Sequence, residues 1–390
     1  YMTSFPPALV LKGSFGLSPK GRQLRNALIG VQYVASFGLI IGATFMYLQN
    51  YYMQNTPLGY DKDEIIITNM NNNIRKSRDA FASQVKSFSG IEEVTYAEML
   101  LSSQDQYMGW GRKYRDKDIQ FQCLPVEPSF LKVMNVKISE GRDFREEDKA
   151  KRYGTFVFNE RARTEYGLEI GSLIDSMEIV GFMPDVKFAS FRTEVTPMAF
   201  FVWGTNNWGN QPNYAYIKVK AGSDLRGAMQ HVKTTLQSFD PEYPFNVRFF
   251  DEVLNGLYEK ERSLSSLITL FSLIAIFISV VGVFGLVVFD SEYRKKEIGI
   301  RKVLGSTTEE IIVMFNKTYI RILCVCFVLG APIAGYVVHR WLENFAYKTP
   351  MYWWVYLIAF AIIAVITILT VTFQNWRAAN ENPVHSIKNE

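Results

Sequence analysis

Cysteine is scarce in this sequence, with three among 390 residues. Cys123 stands alone in a polar stretch, and Cys324 and Cys326 lie inside an apolar run, so no disulfide framework is expected. Histidine is as rare, and His231 and His339 have no partners at metal-ligand spacing. No serine sits in a nucleophile-elbow pattern. No G-x-x-x-x-G-K-S/T loop occurs, which leaves the sequence without an ATP-hydrolysing site of its own. A basic stripe with interleaved aromatics is also missing, which argues against nucleic acid as a partner. No signal-peptide pattern opens the chain, and the first residue is Tyr1 rather than Met. The sequence is therefore expected to be part of a longer polypeptide. Charge is absent from the middles of the long apolar runs, where an ion-coupled carrier buries ionisable groups.

What is present is apolar surface in long blocks. Hydrophobic residues make up 48% and aromatic residues 15%, which fits membrane spans joined to a polar domain. The runs are 27–48, 264–289, 319–338 and 352–373. Each is long enough to cross ~30 Å of hydrocarbon as a helix rising ~1.5 Å per residue. Tyr47, Tyr51 and Tyr52, and later Tyr352, Trp353 and Trp354, stand where interfacial aromatic belts belong. Gly38 and Gly42 form a small-xxx-small pair, and Gly282 and Gly285 lie near the end of the second run. Both pairs suit close helix packing, though glycine is also simply common in such spans. Pro332 is expected to kink the third run. The net charge of +4 is small, and the cations gather at 12–25, at 294–302 and at Arg377. These lie on one side if the N-terminus is cytoplasmic, and residues 53–250 then lie outside.

Residues 53–250 form the one large polar region. Asp63–Thr68, Phe156–Phe158, Glu178–Phe182, Ala199–Val202 and Tyr214–Val219 read as strands. Arg78–Ser89, with Phe81, Val85 and Phe88 on one face, and 224–239, with Leu225, Met229, Val232 and Leu236, read as amphipathic helices. The mixture predicts an α+β domain. Asp143, Glu146, Glu147 and Asp148 are expected on a solvated face. Trp110, Trp203 and Trp208 lie in Gly- and Asn-rich segments and are read either as buried anchors or as contacts for a partner. Leu254, Leu257, Tyr258, Leu264, Leu267 and Ile268 continue a helical stripe with no Pro or Gly between Leu257 and Gly282. One unbroken helix is predicted from the polar domain into the second run.

The stretch from Glu292 to Glu310, EYRKKEIGIRKVLGSTTEE, separates the second and third runs. Ile300, Val303, Leu304, Ile311, Ile312 and Phe315 keep an apolar stripe through its charges. Gly305 predicts a helix C-terminus, and Thr307 with Glu310 a capping box that opens a new helix. The order of Lys295, Lys296, Glu297, Ile298, Gly299, Ile300, Arg301, Lys302, Val303, Leu304, Gly305 and Ser306 resembles the cytoplasmic signature of the FtsX/MacB-like permease family of ABC transporters. Shorter phrases in the polar region also resemble that family's outer domain: Glu140-Gly141-Arg142-Asp143-Phe144, Phe158-Asn159-Glu160, Ile179-Val180-Gly181 and Pro184-Asp185.

The resemblance covers essentially the whole chain, and its strongest parts are 251–315 and the C-terminal tail. It implies a membrane protein of four α-helical spans with an α+β extracytoplasmic domain inserted between spans one and two. The divisions expected are a cytoplasmic basic segment 1–26, span one and stalk 27–52, and the outer domain 53–250. Stalk and span two follow at 251–289, then a cytoplasmic coupling elbow 290–318, span three 319–341, span four 352–373 and a cytoplasmic tail 374–390. The implied coupling residues are Lys296, Glu297, Gly299, Ile300, Arg301, Val303, Leu304 and Gly305. The implied partners are an ABC ATPase subunit dimer, a second permease unit in the same polypeptide or a homodimer, and membrane lipid. ATP and Mg belong to the ATPase, and no cofactor is expected in this chain. The expected function is conformational work on the outer domain of a cell-inner-membrane transporter, for export or extraction of a lipoprotein, peptide or amphiphile. The alternative is a non-transporting FtsX-like transmitter that controls a cell-wall hydrolase or senses a peptide.

Overall fold

The structure is a computed structural model that describes residues 19–102, 107–187, 189–206, 212–293, 300–301 and 304–379. The chain forms two compact units. One comprises residues through Tyr52 with Glu261–Asn344 and Lys348–Glu390, and the other comprises Met53–Lys260 with Phe345–Tyr347.

The first described element is helix α1, Pro19–Asn55, which continues past Tyr51 and Tyr52. The second unit, a mixed α/β lobe, then opens with β1 (Ile65–Asn69), α2 (Asn72–Lys76), α3 (Arg78–Val85), β2 (Ile91–Ala97), β3 (Met108–Tyr114) and β4 (Lys117–Pro125). It continues with α4 (Phe130–Val133), β5 (Glu140–Gly141), β6 (Thr155–Asn159), α5 (Glu160–Tyr166), β7 (Leu173–Ile174) and β8 (Met177–Met183). The last elements are β9 (Met198–Val202), β10 (Tyr214–Val219), α6 (Leu225–Phe239), β11 (Arg248–Phe249) and α7 (Phe250–Leu257). One sheet is antiparallel, in the order β11-β1-β10-β2. The other runs β3-β4-β9-β6-β8-β5, with β7 on β8 and with parallel pairs at β4/β9 and β6/β8.

The side-chain period of two places the central strands between two cores. Ile65 and Ile67 enter one cluster and Ile66 another. Val157 joins the first cluster, while Phe156 and Phe158 join a third. With both faces buried, these strands read as continuous apolar runs rather than alternating ones. Helices α3 and α6 cover the outer face of the first sheet, where Phe81, Val85, Val232 and Leu236 meet Ile66 and Ile217. Side-chain oxygens start the helices: Asn71 accepts from the Ile74 N–H at 3.0 Å, Asn159 from Ala162 at 3.1 Å and Asp224 from Gly227 at 2.9 Å.

In the acidic cluster Glu146 and Glu147 are exposed as expected, and Asp148 departs from expectation. Asp148 is only 1% exposed, and it accepts from both Arg142 terminal nitrogens, at 2.7 and 2.8 Å, and from the Arg145 N–H at 2.8 Å. Burial pushes its pKa up, but the Arg142 hydrogen bonds, the Arg145 N–H and the nearby cations outweigh it and hold the carboxyl below its usual range. Spacing alone hides this fork, because loop geometry brings Arg142 onto Asp148. Trp110 is an anchor of the aromatic cluster, 4.9 Å from Phe201 and 6.1 Å from Trp203 between ring centroids. The Arg112 guanidinium lies 4.4 Å from the centre of the Trp110 ring. Trp208 lies outside the described residues.

Three long helices complete the chain: α8 (Glu259–Tyr293), α9 (Thr308–Leu342) and α10 (Trp353–Ala379). Among the described residues, four helical stretches are long and apolar enough to cross a membrane: Ala27–Asn55, Glu259–Phe289, Thr308–Leu342 and Trp353–Trp376. The predicted unbroken helix through residue 258 is corrected. Helix α7 ends at Leu257, and α8 starts afresh after Tyr258, whose φ of −113° and ψ of 15° leave the helical region. Asn255-Gly256, a turn signal, lies just before the break, outside the Leu257–Gly282 interval. The Tyr258 phenol accepts the Phe191 N–H at 2.9 Å, which commits this residue sideways. Helix α9 continues through Pro332.

In the helical unit, Phe37 packs at 5.2 Å from Phe327, which lies 5.1 Å from Phe360. Hydroxyl pairs join helices inside this apolar core: Tyr33 with Thr367 at 3.0 Å and Ser36 with Ser279 at 2.8 Å. A side chain built at Gly38, Gly42 or Gly285 would meet nothing within 4 Å, whereas one at Gly282 would lie 2.6 Å from the Gln32 side-chain oxygen. Other close approaches fall at Gly330, 3.4 Å from the Val34 backbone, and at Gly335, 2.8 Å from the Tyr356 hydroxyl. Sequence reasoning did not single out Gly330. The signal was its position one residue before Ala331, in the small-residue neighbourhood of Pro332.

Candidate coupling elbow

The elbow is built by two local signals. A helical turn containing Ile300 and Arg301 ends at Leu304, whose N–H bonds the Ile300 carbonyl at 3.0 Å. Gly305 follows with φ of 96°, a backbone region open to glycine without a Cβ clash. The Ser306 N–H then reaches back to the Arg301 carbonyl at 2.9 Å, the long bond of a Schellman cap. Thr307 restarts the chain as a helix. Its hydroxyl accepts the Glu310 N–H at 3.2 Å, and the Glu310 carboxylate accepts the Thr307 N–H at 3.1 Å. Glu309 and Glu310 lie in the first turn of α9, where the helix dipole favours negative charge.

Two apolar side chains at the corner turn outward. Leu304 is 80% exposed and Ile300 57% exposed. Large aliphatic side chains at that exposure, surrounded by charge, suit burial against another protein. Of the other predicted coupling residues, Arg301 and Gly305 flank this corner. Lys296, Glu297, Gly299 and Val303 lie outside the described residues. On α9, Val313, Met314, Lys317 and Arg321 share a shallow groove with Thr307 and Glu310. The sequence reading left out Lys317 and Arg321, although both fall at helical spacing from Glu310. Among the described residues, no group of His, Cys, Asp and Glu is placed to hold a metal ion.

The capping box carries a direct expectation. Thr307→Ala costs about 1 kcal/mol of local stability, so the first turn of α9 opens roughly fivefold more often. Hydrogen exchange at the Glu310 amide measures this, and an unchanged rate would remove the box from the elbow's stability.

Residues 29–235, more than half of the chain, match the MacB-like periplasmic core domain, and residues 269–383 match the FtsX-like permease C-terminal domain. The chain belongs to the FtsX/MacB-like permease family of ABC transporters, as a membrane protein with four candidate spans and an extracytoplasmic α/β domain after the first. It is similar to the macrolide export ATP-binding/permease protein MacB of Chromobacterium violaceum, at 23% identity over 230 residues, which is 56% of this chain and 35% of that protein. MacB of Escherichia coli (strain K12) is 23% identical over 233 residues, again 56% of this chain and 35% of that protein. The chain thus spans about a third of the length of the curated relatives it matches. Among solved structures, the periplasmic region of MacB from Actinobacillus actinomycetemcomitans aligns with a TM-score of 0.37 and 14% identity, covering 51% of this chain and 94% of that one. The extracellular domain of the noncanonic ABC-type transporter YknZ from Gram-positive bacteria aligns with a TM-score of 0.34 and 11% identity, covering 47% and 99%.

Proposed function

We propose that the chain is the permease subunit of a transporter in the cytoplasmic membrane, with residues 53–250 outside the cytoplasm and the elbow inside. A separate ATPase subunit dimer, holding ATP and Mg, engages the elbow as it closes. The elbow is pulled, spans one and two shift together, and the outer lobe changes shape. That work exports or extracts a lipoprotein, peptide or amphiphile, with a second permease unit completing the assembly.

Ile300, Val303 and Leu304 fill a groove on the ATPase, and Arg301 and Lys302 add charged contacts. The observation that carries this reading is the 80% exposure of Leu304 beside a fully capped corner. A corner so built holds its shape without a partner and presents an apolar knob to one. The uncharged middles of the spans also suit work done beyond the bilayer rather than ion coupling.

Sidedness tests the reading. In a cysteine-free background, Glu309→Cys is expected to react with an impermeant thiol reagent only in inverted vesicles. Thr205→Cys is expected to react only in intact spheroplasts. Labelling of Glu309→Cys from outside the cell would end the proposal.

A further inference from the structure

The lobe carries a cleft of about 80 Å³ bordered by Gln122, Lys187, Ser190, Thr193, Thr196 and Tyr347. One wall is the loop after β8, and buried contacts hold it in shape. Phe191 is 1% exposed. Its N–H donates to the Tyr258 phenol at 2.9 Å, and its carbonyl accepts the Tyr347 N–H at 3.1 Å. Its ring packs edge-on against Tyr258 and Tyr347, at 6.2 and 6.0 Å. The Tyr347 phenol also accepts the Val195 N–H at 3.2 Å. The cleft is therefore pre-formed, as a small-molecule site requires.

Lys187 is the unusual member. Its ammonium donates to the Pro57 carbonyl at 3.3 Å and lies 5.2 Å from the Tyr347 ring centre and 5.7 Å from that of Phe191. No carboxylate neutralises it among the described residues, and burial alone pushes its pKa down. A half-buried cation without a counter-charge is costly, and an anion in the cleft would relieve that cost. Thr196 supplies a donor nearby. Its hydroxyl oxygen accepts from the Gln122 amide at 3.1 Å, which leaves its O–H to donate. Glu194 also borders the cleft, and its carboxylate opposes any anion there, which limits the occupant to the single negative charge that Lys187 can offset.

We infer that this cleft is a binding site for a monoanionic oxyanion, a carboxylate or a phosphodiester, held by the Lys187 ammonium and the Thr196 hydroxyl. The site uses none of the elbow residues and does not depend on the transport reading.

The test uses the full chain in detergent. Lysines are acylated with an amine-reactive ester at about pH 8, where a lysine of lowered pKa reacts faster, and peptide mass spectrometry follows each site. Acetate and dimethyl phosphate are titrated separately against chloride at equal ionic strength. A probe at ten times its Kd is expected to slow labelling of Lys187 about tenfold, by occupancy, and to leave exposed Lys113 unchanged. Protection by acetate assigns a carboxylate ligand, and protection by dimethyl phosphate assigns a phosphodiester headgroup. Thr196→Val keeps the lysine and is expected to lose most of the protection. Equal labelling of Lys187 in chloride and in both probes would overturn the site. Full protection in Thr196→Val would overturn its construction from these two groups.

Discussion

Leu304→Asp separates the permease from its ATPase while leaving the permease folded. The side chain is 80% exposed in the isolated chain, so an aspartate there loses no internal packing. In the proposed complex the same position is buried, and the change removes about 1.5–3 kcal/mol of apolar burial. It also places an unpaired charge in a dry contact, so a total of about 3–5 kcal/mol is expected, or roughly 100- to 5,000-fold in affinity. Co-purification of the ATPase and stimulation of its hydrolysis should both be lost. The thermal unfolding of the permease should not move. An intact complex with Leu304→Asp would remove the elbow from the docking surface. A shifted unfolding curve would show that the residue supports the chain itself.

The second large effect falls in the lobe. Gly154→Val is expected to prevent the lobe from reaching its packed state. Gly154 has φ of 83°, and a Cβ there would lie 2.0 Å from the Val202 carbonyl oxygen and 2.8 Å from the Gly204 nitrogen. Both neighbours are backbone, so no side-chain rotation relieves the overlap. The left-handed conformation adds about 1–2 kcal/mol and forced overpacking about 1–3 kcal/mol, with β-branching at the upper end of each. That total is a large part of the stability of a typical domain, about 5–15 kcal/mol. Protease resistance of residues 53–260 in the full chain is the measurement. Gly109→Ala is the control, since a Cβ there meets nothing within 4 Å. It should cost no more than about 1 kcal/mol. A Gly154→Val chain as resistant as wild type would refute the close approach of β6 to the end of β9.

The legible parts of this fold were those in which one residue type announces one local state. The run from Asp63 to Thr68 could be read because β-branched residues crowd it, and β1 follows at Ile65–Asn69. The Thr307–Glu310 box was read from two residues, and both of its hydrogen bonds are present. Strand β3 was missed because Gly109 and Gly111 make it look like a turn. Its pairing comes from β4, where Trp110 faces Phe121 across the ladder. The helix break at Tyr258 was missed although Asn255-Gly256 lies just before it, and the contact of its phenol with the Phe191 N–H, more than sixty residues away, is not legible locally. The ion pair between Arg142 and Asp148 depends on loop shape, and charge patterning registers only the charges. In the elbow, the corner and its outward leucine were legible. The groove shared by Lys317 and Arg321 was not, because the expected boundary at 318/319 put Lys317 in the elbow and Arg321 in the third span.

Helix α9 has 35 residues and so a length of about 52 Å. A bilayer's hydrocarbon core is about 30 Å thick. The uncharged part of α9 between Arg321 and His339 is about 26 Å long at 1.5 Å per residue, close to that thickness. The surplus therefore lies at 308–321, an arm of about 20 Å that carries the Gly305 corner at its tip and packs on its neighbours through buried Ile311, Phe315 and Tyr319. An arm of that length converts a tilt of about ten degrees into a swing of roughly 3 to 4 Å. Shortening it by one helical turn would cut the swing and rotate the corner by about a tenth of a circle, without altering a single atom of the corner itself.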